Sequence, residues 1–238
     1  MSSGAARRQP VIAIDGPAGA GKSTMAAHLA RRFGFLNLET GAMYRALALK
    51  AIDHDLGFEE EGELVALAET TRIVLEPQRE GNRILLDGVD VSRRVRDADV
   101  TAAASKVSVH PRLRVWMVDQ QRLLGADGGV VMEGRDIGTV VFPDAEVKIF
   151  LDARPEVRGN RRYRQITPGA PADRKVTEEA LIEDLRERDE RDRTRADSPL
   201  RPAEDAVILD STAMTLDEVL EAAERVVRSR IGVELHRP

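Results

Sequence analysis

The 238-residue sequence contains no cysteine, which excludes disulfides, zinc–cysteine sites and thiol catalysis. Aromatic residues make up only 3% and the net charge is −5. Without a base-stacking surface or a large basic face, no nucleic-acid partner is expected. No stretch approaches the roughly 18 consecutive apolar residues of a membrane span, so no membrane partner is expected either. The first ten residues lack the apolar run of a signal peptide and read as a loose tail. A cytoplasmic protein is the expectation. Lysine is scarce as well: of 36 basic residues only Lys22, Lys50, Lys106, Lys148 and Lys175 are lysine, leaving 31 arginines. Codon bias explains a surplus on the surface. A planar guanidinium that grips phosphate bidentately explains one at a site. Position has to decide.

What is present suits a soluble fold. Apolar residues reach 42% and charged residues 32%, enough for a core and too apolar for general disorder. At roughly 150 residues per domain, the length suggests one large domain or one domain with insertions. Val11–Asp15 is a short apolar run that ends at a Gly-rich loop, and a helical pattern follows from Ser23 to about Arg32. Phe35–Leu38 reads as a second strand. Thr40, a natural N-cap, opens a helix running through Tyr44 toward Ile52. Gly129–Met132, Val147–Leu151 and Ala206–Asp210 supply three more buried-type strands. The last helix starts on a capping box, Thr215 with Glu218, and runs to about Ile231. This alternation is the grammar of a parallel α/β sheet.

Two segments break it. Between about Glu60 and Ser105, Arg72–Glu76 and Arg83–Leu86 flank a turn at Glu80–Asn82, followed by Asp87-Gly88; this predicts a small antiparallel meander, inserted into the core. Arg154–Asp173 is rich in Arg, Pro and Gly and reads as a long functional loop.

Gly16-Pro-Ala-Gly-Ala-Gly21-Lys22-Ser23 matches G-x-x-x-x-G-K-[ST] in the required setting, after a strand and before a helix. Glycine permits the backbone conformations that turn successive N–H groups toward phosphate oxygens. The following helix adds its positive end. Lys22 can reach the terminal phosphates, and the Ser23 hydroxyl can sit beside Mg²⁺, directly or through water. A nucleoside triphosphate is implied. The three asparagines, Asn37, Asn82 and Asn160, never precede lysine, so the base-reading element of a GTPase is missing. Asp152 is followed by Ala153 rather than the glutamate of a mechanical ATPase. A kinase of a small molecule or nucleotide remains, alongside a non-catalytic ATP-binding regulatory protein.

Tyr44 and Arg45 follow a parallel strand, and so do Arg135 and Asp136 in Glu133-Gly-Arg-Asp-Ile-Gly138. Both pairs should emerge at the carboxyl edge of the sheet, where doubly wound folds bind ligands. On a helix from Thr177 to Arg195, the residues Leu181, Leu185, Arg188, Asp192 and Arg195 fall within about 80° of one another. An apolar stripe therefore runs into a charged face suited to lining a nucleotide site.

The stretches IDGPAGAGKST, ETGAMYRALA, AAASKVSVHPRLR, EGRDIGTVVFPDAEVKIFLDA, RERDERDRTR and AVILDSTAMT together resemble the bacterial cytidylate kinases, in their long form. The resemblance implies a P-loop NTPase-type, five-stranded parallel sheet flanked by helices, with an inserted antiparallel β subdomain and a lid. It divides the chain into a core (10–59, 106–153, 174–231), a monophosphate-binding insert (60–105), a lid (154–173) and tails (1–9, 232–238). It implies phosphoryl transfer from ATP to CMP or dCMP, with Mg²⁺, by a monomer; UMP or AMP is the nearer alternative acceptor. ATP would lie on Gly16, Pro17, Ala18, Gly19, Ala20, Gly21, Lys22, Ser23 and Thr24. The CMP pocket would fall on Thr40, Tyr44, Arg45, Ser105, Arg114, Arg135, Asp136, Arg188, Asp192 and Arg195. Lys22, Arg135, Arg188 and the lid arginines Arg158, Arg161 and Arg162 would carry catalysis.

Overall fold

The computed structural model describes residues 7, 9–78, 81–166 and 177–232. Five parallel strands form one sheet: β1 (Val11–Asp15), β2 (Leu36–Glu39), β6 (Val130–Gly134), β7 (Val147–Asp152) and β8 (Val207–Asp210), in spatial order β2-β6-β1-β7-β8. Strand β1 is central and fully buried. Its alternation decides the layering: Val11 and Ala13 face one apolar cluster, Ile12 and Ile14 the other. The first cluster collects α2 (Thr40–Asp53), α3 (Glu61–Glu69), α4 (Ala98–Val107) and α5 (Pro111–Leu124). The second collects α1 (Lys22–Phe33) and α8 (Leu216–Ile231). Helices on both faces explain why the strands read as continuous apolar runs.

The meander is present as a second, antiparallel sheet of β3 (Ile73–Gln78), β4 (Gly81–Leu86) and β5 (Val89–Asp90). Asp87 (φ 50°) and Gly88 (φ 87°) make the tight β4–β5 turn, as Asp-Gly favours. Glu80 lies outside the described residues. Leu75, Ile84 and Leu86 are buried in the first cluster, and Asn82 ties the small sheet to the edge of the large one. Its carboxamide accepts from Glu39 N (3.0 Å) and donates to Asn37 O (2.7 Å), taking the place of a neighbouring strand.

Several local expectations are corrected. Thr40 is not the N-cap of α2: Glu39 holds that position, and Thr40, one residue inside, donates its hydroxyl to Glu133 O (2.7 Å). The segment from Arg154 is not a loop throughout, because Pro155–Ile166 forms helix α6. Proline is tolerated at a first helical position and arginine is a good helix former, so a Pro- and Arg-rich run is compatible with a helix. The Thr167–Ala172 part of the expected lid lies outside the described residues. Helices α3 and α4, read only as flanks of the meander, are regular. The charged helix is α7 (Glu178–Thr194), capped by Thr177, whose hydroxyl accepts from Ala180 N. The capping box at Thr215 and Glu218 is formed on both sides.

Candidate functional site

The loop between β1 and α1 is shaped by three positive-φ glycines, Gly16 (148°), Gly19 (74°) and Gly21 (103°). Gly16 also allows close approach, since a Cβ there would stand 2.0 Å from Leu151 O. Pro17, Ala18, Ala20 and Lys22 are buried, while Gly19, Gly21, Ser23 and Thr24 are exposed. Lys22 curls back and donates to Pro17 O at 2.7 Å. Burial, with Arg135 adding to it, lowers its ammonium to about 7.

Around Lys22, the carboxyl ends of the strands gather three acids, of which Asp15 and Glu133 are buried. Asp15, the last residue of β1, accepts from Ile137 N (2.8 Å) and Gly138 N (2.7 Å). These amides start the wide, π-type helical turn Ile137–Val141 that follows β6. Burial pushes Asp15 up to about 6 despite both amides, which pull it down. Glu133, on β6, is raised by burial and next by Glu39, whereas Lys22 and a bond from Ser23 oppose the shift. Its Oε1 is buried with no protein partner. Glu39 pairs with Arg45 and stands 3.7 Å from Arg96 of the insert.

The residues expected in the acceptor pocket form a charged cluster next to this group. Arg114, buried on α5, pairs with Asp136 and donates to Ser108 O (3.2 Å). Its guanidinium lies 5.8 Å from the centre of the Tyr44 ring, and burial raises the Tyr44 phenol to about 12. Arg135 pairs not with its neighbour Asp136 but with Asp192 on α7, at 2.8 Å. Although burial pushes Asp192 up, Arg135 and Arg195 together hold it below the usual carboxylate range. Arg195 donates to Ser198 O (2.8 Å) and stands 3.5 Å from Asp192, with its second terminal nitrogen buried and unpartnered. Burial, and then Arg114, lower its guanidinium. Five charged groups from three regions of sequence thus share one pocket wall. Ser105 joins it only indirectly: Ser108 donates to its carbonyl (3.0 Å).

The arginines assigned to catalysis divide. Arg188 is half-buried and paired with Asp184 one turn back. Arg162 is exposed. Arg161 donates to Ser211 O (2.7 Å) and Ser211 Oγ (3.1 Å). It lines a groove of about 480 Å³ together with Asn160, Arg164, Thr212 and Met214. Arg158 is the largest side chain among the described residues to be withdrawn almost wholly from water, 1% exposed, with every donor nitrogen bonded inside the protein.

Three residues at the site escaped the sequence reading. Asp15 and Glu133 sit within motifs that had been read for their neighbours. Asp189 is 3% exposed and bonds the loop at Ala18 N (3.4 Å). One signal for it was available, since Asp189 follows the apolar Leu185 at i+4.

The family model and the sequence relatives agree on one family. The family model described as cytidylate kinase matches residues 12–229. The cytidylate kinase of Solibacter usitatus is 49% identical over 226 residues, covering 94% of this chain and 95% of that protein. The cytidylate kinase of Aeromonas salmonicida is 46% identical, covering 94% and 96%. Among solved structures, shikimate kinase from Bacteroides thetaiotaomicron aligns with a TM-score of 0.48 and 13% identity, over 94% of this chain and 99% of that one.

Proposed function

The chain belongs to the cytidylate kinase family, and from that premise we propose that it transfers the γ-phosphate of ATP to CMP or dCMP, giving CDP or dCDP. The observation that carries this reading is the common location of the two half-sites. The Gly16–Thr24 loop follows β1 and Arg135-Asp136 follow β6 at paired strand ends, Asp15 beside Gly134, and Arg135 and Asp192 of the cluster are close enough to act on the charge of Lys22.

A phosphate acceptor is already a competent nucleophile at neutral pH, so catalysis consists mainly of positioning and charge stabilisation. The loop amides and Lys22 hold the donor, with Lys22 exchanging Pro17 O for a terminal phosphate oxygen. The groove beside Arg161, Ser211 and Thr212 suits the adenine end of ATP. Arg45, Arg114 and Arg135 hold the acceptor phosphate, with Arg188 beside it, and Asp192 orients the sugar. Asp136 has one oxygen on Arg114, which leaves the other to accept from the exocyclic amine of cytosine. Uracil carries a carbonyl there, and two acceptors would face each other. Arg162, exposed on the helix leading into 167–176, is assigned to the transferring phosphate, whereas Arg161, held by Ser211, belongs to the adenine groove.

Mg²⁺ fits the donor set. The Ser23 hydroxyl and the unpartnered Glu133 Oε1 are hard oxygen ligands at the end of the loop. Among the described residues no cluster of three or more acidic or histidine side chains could cage a metal alone, as expected for an ion that arrives with phosphates. Bound there, Mg²⁺ neutralises charge on the transferring group. The same reading has the enzyme working as a cytoplasmic monomer on small molecules, with no nucleic-acid or membrane partner. No described helix is long and apolar enough to cross a membrane.

The direct test is ADP release from Mg·ATP against CMP, dCMP, UMP, AMP, dTMP and shikimate. Strong turnover confined to CMP and dCMP is expected; turnover with a different acceptor would remove the base-recognition residues from the reading.

Lys22 also predicts a proton linkage. Its ammonium titrates at about 7 in the free protein, and bound phosphates favour the charged form, so binding raises that value. Between the two values the complex holds more protons than the free protein. Mg·ATP binding at pH 8 is therefore expected to take up close to one proton, and affinity is expected to fall as pH rises above 7. Calorimetry in buffers of different ionisation enthalpy reads the uptake. A value of zero would mean that Lys22 already carries its proton at pH 8 in the free protein or does not reach the phosphates.

A further inference from the structure

Arg158 and Asp189 are two opposite charges withdrawn almost completely from water, at 1% and 3% exposure. Such a pair is weak evidence for stability, because the desolvation of both ions offsets their attraction. Its bonding pattern points elsewhere. Arg158 Nε donates to Ala153 O (2.7 Å), one terminal nitrogen donates to Ala18 O (2.7 Å), and the other pairs with Asp189. Asp189 in turn accepts from Ala18 N (3.4 Å). Both backbone polar groups of one residue, in the middle of the Gly16–Lys22 loop, are thus held by side chains from α6 and α7. The loop also rests on those helices directly, since a Cβ at Gly19 would lie 3.5 Å from Leu185 and 3.6 Å from Arg158. Close approach of α6 to α7 makes this possible. Gly159, next to Arg158, faces Ile182 so closely that a Cβ there would stand 2.3 Å from it.

We propose that Arg158 and Asp189 are a positioning pair: they lock the phosphate loop at Ala18 onto the α6–α7 helix pair, so that the loop amides are aimed before a nucleoside triphosphate arrives. This rests on the ATP-dependent reading above and reassigns Arg158 within it. With all three donor positions used inside the protein, Arg158 does not touch the transferring phosphate. Preorganised amides need no rearrangement on binding. Loss of the lock therefore falls mainly on the triphosphate side: the acceptor groups on α2, on α5 and after β6 do not depend on it, and only Arg188, Asp192 and the C-cap residue Arg195 share α7 with Asp189.

The test compares wild type with Arg158→Lys, Asp189→Asn and the double variant Arg158→Met/Asp189→Leu. Mg·ATP and CMP affinities are measured separately by calorimetry, with ATP- and CMP-dependent ADP release and thermal unfolding alongside. Arg158→Lys keeps the charge but cannot reach three acceptors; Asp189→Asn keeps an acceptor for Ala18 but turns an amine toward Arg158. Each is expected to weaken Mg·ATP binding about tenfold or more, and CMP binding several times less than that. The double variant is expected to unfold at a higher temperature than Asp189→Asn, because no unpaired charge is left buried, and still to bind Mg·ATP poorly. A recovered Tm with impaired triphosphate binding is what separates positioning from structural support.

Three outcomes would overturn the pair's role: a drop in kcat alone with Mg·ATP affinity intact, which would make Arg158 a phosphate-contacting arginine; equal weakening of ATP and CMP, which would make the pair purely structural; or wild-type ATP affinity in the double variant. Absence of CMP-dependent turnover in the wild type would strike the proposed reaction, while the Mg·ATP titrations would still read the pair.

Discussion

Lys22→Ala is expected to reduce turnover about a hundred- to a thousandfold, the usual loss when one preorganised charge aimed at a developing anion is removed. The loss should appear in kcat more than in the affinity for the acceptor, because Lys22 lies on the loop side of the pocket and donates only to Pro17 O in the free protein. Stability should not suffer. The ammonium is 5% exposed and is held at about 7 chiefly by its burial, so the folded chain is holding a charge it would rather not carry. Deleting it removes the desolvated charge but leaves Pro17 O unmatched and takes a counter-charge from Glu133, Asp15 and Asp192, so the opposing effects should keep Tm near the wild-type value. Steady-state kinetics with ATP and CMP varied in turn, next to a thermal melt, makes the check. Turnover equal to wild type would undo the assignment of the Gly16–Thr24 loop.

How far the site was legible depends on how local its signal is. The loop could be read because its glycines, lysine and hydroxyl are adjacent and are bracketed by a strand and a helix. The parallel strands could be read because burial on both faces makes them continuous apolar runs. The Arg188/Asp192/Arg195 face was expected from helical spacing alone, and Asp192 and Arg195 lie together with Arg135 in one charged cluster. Asp15 was invisible for the opposite reason: its partners are backbone amides 122 and 123 residues away, and no side-chain type marks them. Arg158 was misplaced because Pro, Gly and several arginines in one segment look like a loop. Asp189 was passed over because helical spacing puts it about 40° from Leu185, at the margin of the face that was drawn.

The arginine surplus resolves in the same way, by position. Arg83, Arg94 and Arg186 make exposed ion pairs, which contribute little. Arg114, Arg158 and Arg195 are withdrawn from water, where an unpaired guanidinium would be costly. The cytidylate kinase chemistry proposed for this chain draws on Arg114 and Arg195 together with Arg45, Arg135, Arg162 and Arg188, while the exposed ion-paired arginines take no part in it.

The second large effect is expected at Asp136. Its carboxylate pairs with Arg114, and both side chains are buried, at 8% and 3% exposure. Asp136→Ala leaves that guanidinium without its counter-charge, next to an Nε that already lacks a partner. Removing one member of a buried pair destabilises by about 3–5 kcal/mol, which for a chain of this size amounts to a fall in Tm of roughly 10 °C. Selectivity should fall with it. If one carboxylate oxygen accepts from the amine of cytosine, its loss removes a discrimination of about 1–3 kcal/mol, roughly ten- to a hundredfold in the CMP-to-UMP ratio of kcat/KM. Asp136→Asn separates the two effects. Its amide can keep an acceptor on Arg114 while presenting an amine toward the base, so stability recovers in part and preference shifts toward the uracil carbonyl. Mg·ATP affinity should change in neither variant, since Asp136 makes no bond to the phosphate loop. Equal losses for CMP and UMP in both variants would leave Asp136 as a support for Arg114 and nothing more, and cytosine would have to be read by other groups on the same wall, of which Arg195, with a buried donor still unpartnered, is the first to examine.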